Sequence, residues 1–195
     1  MIIDTDNFSW AVNQISKHDL VFVDLETTGL EPFNGDKICG VAVMVGEDSM
    51  YFPFRHMVGA NLPKDYMGKL APYLSDPHKT YCGHNYKFDL KFLHCAGVKL
   101  PEKILDTMIA AHLVYEEEKS FGLKQLGDKY LGKGASDESS ILDDKLNLFG
   151  FKKSEMYRLP ASDVALYAEQ DVKLTARLLS LFQDLLTQEK NMDLF

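Results

Sequence analysis

Three separated segments of this 195-residue chain each place an acidic side chain where the hydrophobic pattern calls for an apolar one. The first is Leu20 to Leu30, L-V-F-V-D-L-E-T-T-G-L. Val21, Phe22, Val23 and Leu25 make an apolar, β-branched and aromatic run short enough for a strand buried on both faces. Asp24 and Glu26 interrupt it. Strand side chains alternate faces, so residues two apart project together, and both carboxylates share one face near the strand's C-terminal end. Two like charges that close repel each other. Either one takes up a proton or a divalent cation sits between them, and hard cations such as magnesium or manganese prefer oxygen ligands. The bland alternative is a pair of acids fraying into a solvated turn at Thr27, Thr28 and Gly29, and a D-x-E pattern alone does not choose.

The second segment is a long helical stripe, Val164, Tyr167, Ala168, Asp171, Thr175, Leu178, Phe182 and Leu185, which Asp171 interrupts. A carboxylate on a core-facing stripe needs a partner, and Tyr167, four residues earlier, presents its hydroxyl on the same face. The alternative is an Asp at the rim with Tyr167 as core filler. The third segment is G-H-N-Y-K-F-D-L-K-F-L, Gly83 to Leu93. Asp89 falls beside Phe88, Phe92 and Leu93 on the apolar side of a helix that Asn85 is expected to cap. Cys82, His84, His94 and Cys95 match no common tetrahedral zinc spacing. One shared cation site in a cleft is the economical account of all three acidic intrusions.

The elements that must carry these residues read as follows. Ile2 and Ile3 suggest a short strand, and Asp6 or Asn7 a cap for a helix to about Lys17. Asp4 and Asp6 imitate the D-x-E pattern, but capping explains them more cheaply. Lys37–Val45 and Met50–Phe54 form an antiparallel hairpin through Gly46 to Ser49. Pro63–Leu74 is helical, Thr80–Gly83 a short strand and Tyr86–Ala96 a helix. Asp106 caps a helix over Thr107–Tyr115, and Ser120–Leu131 carries apolar residues at helical intervals. Gly132–Ser140 is expected to be a mobile loop, and a final helix follows Pro160 to about Gln188. With 46% hydrophobic residues the chain is sized for one domain, residues 1–195. It has no run of about 18 apolar residues. Its acidic first residues do not look like a signal peptide, and three cysteines in no framework spacing agree with a reducing compartment, so an intracellular, cytoplasmic protein with no membrane partner is expected. The net charge of −8 argues against nucleic acid unless bound cations neutralise some carboxylates and bridge to phosphates.

In that order, D-L-E-T-T-G-L, H-N-Y-K-F-D and Y-A-E-Q-D resemble the three motifs of the DEDD-superfamily 3'-5' exonucleases, tyrosine subtype, and most of all the proofreading domain of family A, DNA polymerase I-like enzymes. The resemblance extends to D-T-M at Asp106–Met108 and to Ser120–Leu131. It implies an α/β, ribonuclease H-like mixed sheet flanked by helices. It also implies two divalent cations, Mg2+ or Mn2+, held by Asp24, Glu26, Asp89 and Asp171, with Tyr167 orienting the attacking water. Thr27 and Leu30 match positions that meet the terminal nucleotide, Leu30 as a wedge, and Asn85 falls in the second motif as a further substrate contact. The implied partner is a single-stranded or frayed DNA 3' end, with a polymerase domain in the same or another chain.

Three other functions compete. An RNA-trimming exonuclease of the ribonuclease D type shares these motifs, although it usually brings an extra helical domain. A non-catalytic scaffold would be marked by loss of an acid, and all four are present. A two-carboxylate glycosidase leaves both helix aspartates unexplained.

Overall fold

The organising strand is β1 (Leu20–Thr27), at the centre of a five-stranded mixed sheet. In the computed structural model, which describes residues 1–132, 138–188 and 192–195, β1 pairs antiparallel with β2 (Ile38–Val45), which pairs antiparallel with β3 (Asp48–Pro53). On its other side β1 runs parallel to β4 (Thr80–Gly83), and β4 parallel to β5 (Lys103–Asp106), giving the order β3-β2-β1-β4-β5. The expected fold class, a mixed α/β sheet flanked by helices, and the expected hairpin are both present.

The pleat sorts the strand residues between two cores. Val21, Val23, Leu25, Val41, Val43, Met50, Phe52 and Tyr81 face one side. There they pack with α1 (Phe8–Ser16), α2 (Tyr66–Leu70) and α3 (Lys87–Cys95). Phe22, Ala42, Tyr51 and Cys82 face the other side, against α6 (Glu138–Phe149) and the long α7 (Ala161–Gln188). A third apolar cluster joins α4 (Thr107–Val114) and α5 (Leu123–Tyr130) to α7 through Ala110, Leu126, Leu174, Leu178 and Phe182. Burying both faces is what a largely apolar central strand requires.

Several local expectations need correction. Ile2 forms only an isolated bridge to Tyr51, not a strand. Neither Asp6 nor Asn7 caps α1 with its side chain; the Asp4 carboxylate instead accepts from the Asp6 and Asn7 N–H groups. The helix expected over Pro63–Leu74 is split into α2 and a 3-10 turn, Ala71–Leu74, because Pro72 has no N–H to continue the α pattern. Of the loop expected over 132–140, residues 133–137 lie outside the described residues, and from Glu138 the chain is α6, which the sequence reading missed. Among its described side chains only Leu142 and Leu146 bury, four apart, too thin a stripe to stand out.

One side chain ties the second motif to the elements around it. Asp106 caps α4 by accepting from the Met108 N–H at 2.9 Å, as its position predicts. The same carboxylate accepts from the Asn85 N–H at 2.9 Å and the Tyr86 N–H at 2.8 Å, and so holds the turn that launches α3. Asp106→Ala should lower the unfolding free energy in urea by about 3 kcal/mol, because it orphans three donors at once. Asp106→Asn, which keeps one acceptor oxygen, should cost less.

Candidate active site

The candidate site lies where β1 and β4 part. Their ladder runs from Leu20↔Thr80 to Phe22↔Cys82 and then ends, so the rest of that edge of β1 lacks a neighbouring strand. The Leu25 N–H on this segment donates to Asp89 Oδ1 at 3.0 Å, so a side chain from α3 takes the place of a strand carbonyl. Asp24 and Glu26 lie on the α7 face of β1, in phase with Phe22, as the alternation predicts. The register between β1 and β2 slips at Glu26/Thr27, a bulge of the kind that re-aims side chains beside sites.

Charge here is expensive. Burial pushes the Asp24 carboxyl up to about 6, with Lys124 and Lys153 opposing the rise. Burial and then the neighbouring Asp24 charge push Glu26 up to about 8, again against the two lysines. Asp89 is raised well above the usual carboxylate range, by burial first and Asp24 second, while the Leu25 N–H pulls the other way. Tyr167 is buried on α7, and its phenol is held far above its ordinary value by burial and by the negative charges of Glu26 and Asp24. Asp171, also buried, pairs with the Lys124 ammonium. The Lys124 and Lys153 nitrogens lie 4.5 Å and 4.8 Å from the Tyr167 ring centroid. These lysines were not singled out in the sequence. A lysine in a charged segment looks like solvated surface, and no spacing rule marks these two.

The remaining expected residues divide. Thr27 is buried, and its hydroxyl donates to the Gly29 carbonyl at 2.7 Å. Leu30 is 70% exposed at the rim of a cleft of about 370 Å3 whose lining includes Glu26, Thr27, Phe88, Lys153 and Met156. Asn85 does not cap α3. It sits at φ 54°, a left-handed position that Asn tolerates, with its side chain exposed, and α3 begins after Tyr86 with no side-chain cap. Tyr86 is buried in the core, whereas Phe88, two residues on, lines the cleft. His84, another residue given no role, accepts from the Thr107 hydroxyl and donates to the Phe121 carbonyl, each at 2.8 Å, with burial lowering its pKa and favouring the neutral ring. It thereby fixes the segment that leads into α5.

Among the described residues no three His, Cys, Asp or Glu side chains already converge as a metal cage. Asp171 is turned to Lys124, and one Asp89 oxygen to the Leu25 N–H. The donor set nonetheless fits a hard divalent cation. It is made of carboxylate oxygens whose pKa values are raised by burial first and, for Glu26 and Asp89, by the neighbouring Asp24 charge second, so a cation would stabilise their ionised forms.

Residues 1–187 match the family model of the 3'-5' exonuclease domain of A-type DNA polymerases. The chain belongs to this family. It is 30% identical over 168 residues to DNA polymerase I of Chloroflexus aurantiacus, covering 85% of this chain and 17% of that protein. It is also 30% identical over 172 residues to the DNA polymerase DpoZ of Acinetobacter phage SH-Ab 15497, covering 84% and 26%. This chain thus spans about a quarter or less of these relatives' length. Among solved structures, Brucella melitensis NrnC with bound Mg2+ superposes with TM-score 0.69 at 22% identity, covering 98% of this chain and 83% of that one. Escherichia coli RNase D, an exoribonuclease, gives 0.68 at 15% identity, covering 98% and 46%. These likenesses establish the ribonuclease H-like fold of the domain.

The raised carboxyls make stability depend on pH. Glu26 contributes fully below its ordinary 4.5, and the contribution is lost as pH rises through about 8; Asp24 loses its share through about 6. Without added metal, the melting temperature should therefore fall between pH 5 and pH 8. Glu26→Gln, which cannot ionise, should be more stable than the parent at pH 8, by on the order of 2 kcal/mol, and should flatten the pH dependence. Equal melting temperatures of parent and variant at pH 8 would contradict this.

Proposed function

We propose that this domain, residues 1–195, is a 3'-5' exodeoxyribonuclease that trims single-stranded or frayed DNA 3' ends and releases nucleoside monophosphates, in a proofreading role beside a polymerase domain. The observation that carries the reading is the crowding of Asp24, Glu26 and Asp89 at the parting of β1 and β4, faced by Tyr167 of α7, with Asp171 of the same helix linked to them through Lys124. The choice of DNA is supported by relatives that are DNA polymerases. We place the activity in the cytoplasm, in keeping with three free cysteines and with the lack, among the described residues, of a helix long and apolar enough to cross a membrane.

In this reading Asp24, Glu26 and Asp171 would hold one divalent cation, Mg2+ or Mn2+, and Asp24, assisted by Asp89, would hold a second. When bound, such cations neutralise the scissile phosphate and lower the pKa of an attacking water. The protein's own groups do the positioning. Tyr167, whose raised pKa keeps its phenol protonated, donates to or accepts from that water and orients it. Water oxygen attacks phosphorus, the bond to the neighbouring 3' oxygen breaks, and that oxygen leaves with a proton as the monophosphate departs. Leu30, projecting at the cleft rim, wedges against the terminal base; Phe88 offers it a ring to stack on, and Thr27 and Asn85 meet the terminal nucleotide.

Digestion of 3'-labelled and 5'-labelled DNA and RNA, with Mn2+, Mg2+ or excess chelator, tests this. The expected result is metal-dependent loss of 3' label from DNA, faster on mismatched than on paired ends. Activity surviving the chelator would sink the cation reading, and faster attack on RNA would shift the assignment to the ribonuclease D type.

Single substitutions separate the roles. Asp24→Ala should abolish cleavage and weaken cation binding in a titration. Tyr167→Phe should keep the fold and most cation affinity but lose on the order of 10²-fold in rate, as for one orienting hydrogen bond in a transition state. If Tyr167→Phe turns over at the parent rate, the ring is only packing.

A further inference from the structure

We propose that Lys124 is a resident counterion of Asp171 that competes with the divalent cation until a substrate phosphate draws its ammonium away, so that metal binding and strand binding are coupled. The proposal rests on the two-cation reading above. Its starting point is how α5 is seated. Gly127 lies so close to α7 that an added Cβ would come within 2.8 Å of a Leu174 methyl carbon. Three residues back along each helix are Lys124 and Asp171, and their side chains pair, with only 18% and 8% of their surfaces exposed. His84 holds the Phe121 carbonyl just ahead of α5, so the helix start that carries Lys124 is braced from β4 as well. The ammonium also lies over the Tyr167 ring. Its charge reaches the β1 carboxylates, where it opposes the rise of both.

An ammonium in contact with Asp171 and a divalent cation on the same carboxylate repel strongly in a site this poorly solvated. One must yield. Lysine is suited to yielding: its charge is a compact point on a flexible four-carbon stem, unlike a planar guanidinium locked in a fork. A phosphate brought into the cleft is the new anion that can receive the ammonium through a charge-assisted hydrogen bond. Without a strand, Lys124 satisfies Asp171 and keeps cation affinity low. With a strand, its release frees Asp171 when the scissile group arrives.

Mn2+ binding, read as free-ion signal in electron paramagnetic resonance, tests this on the whole chain without turnover. Lys124→Met should bind Mn2+ about tenfold more tightly than the parent, and a deoxynucleoside monophosphate should tighten Mn2+ binding about tenfold in the parent but under about threefold in the variant, within the usual range of coupling between sites. Lys153→Met removes a charge about as near the Tyr167 ring without breaking an Asp171 contact, and should tighten Mn2+ binding less. If Lys124→Met proves too unstable to titrate, Lys124→Gln carries the same expectation. Equal Mn2+ affinity in parent and Lys124 variant, or an equal gain from Lys153→Met, overturns the role of Lys124 and leaves the cation reading standing. Failure of the parent to bind Mn2+, with or without the monophosphate, overturns both.

Discussion

Everything in the candidate site depends on β1 and β4 separating while both are still inside the protein. Two parallel strands that stay paired satisfy each other's backbone and leave no room between them. Here the ladder stops at Phe22 and Cys82, and the freed Leu25 N–H needs an acceptor in a buried setting. Asp89 supplies it. The hydrogen bond that repairs the backbone also draws a carboxylate from α3 to the β1 acids. Open α/β sheets characteristically place ligands at the carboxyl ends of diverging strands, and this gap gives that rule a concrete form.

Holding the gap open requires bracing from several directions. Asp106 gathers the turn before α3 and the start of α4 around one carboxylate. His84 ties the end of β4 to the approach to α5. Tyr51 fills the space beside Gly40, which faces Glu26 across the ladder, and its hydroxyl meets His56, whose other ring nitrogen reaches the Leu159 carbonyl just before α7. Of these groups only His84 belongs to the three acidic motifs. They set where the motif residues stand relative to one another, which matters because misplacing reacting groups by an ångström is costly.

Under the proposed function, the site must reconcile an acidic chain with an anionic strand. A net charge of −8 repels a strand at long range, yet at the cleft two lysines flank Tyr167 and moderate the carboxylates. The buried acids are a standing destabilisation that the two cores on either side of the sheet must outweigh, the usual relation between a functional site and its scaffold.

The sequence alone determined the central strand and hairpin, the shared face of Asp24 and Glu26, the cap at Asp106 and the long helix carrying Tyr167 and Asp171. These follow from local rules: a period of two, a period near four, and capping chemistry that acts within a few residues. The motif order also carried the family. Tertiary structure decided what depends on contacts between distant segments. Asn85 reads locally as a cap, but Asp106, 21 residues on, holds its backbone in a left-handed turn instead. Tyr86, inside the second motif, is swallowed by the core. The partnership of Lys124 with Asp171 spans 47 residues and arises because Gly127 lets α5 lie close against α7. Periodicity reports which face of an element is apolar, whereas the partner that meets a polar group on that face is fixed only when the elements pack.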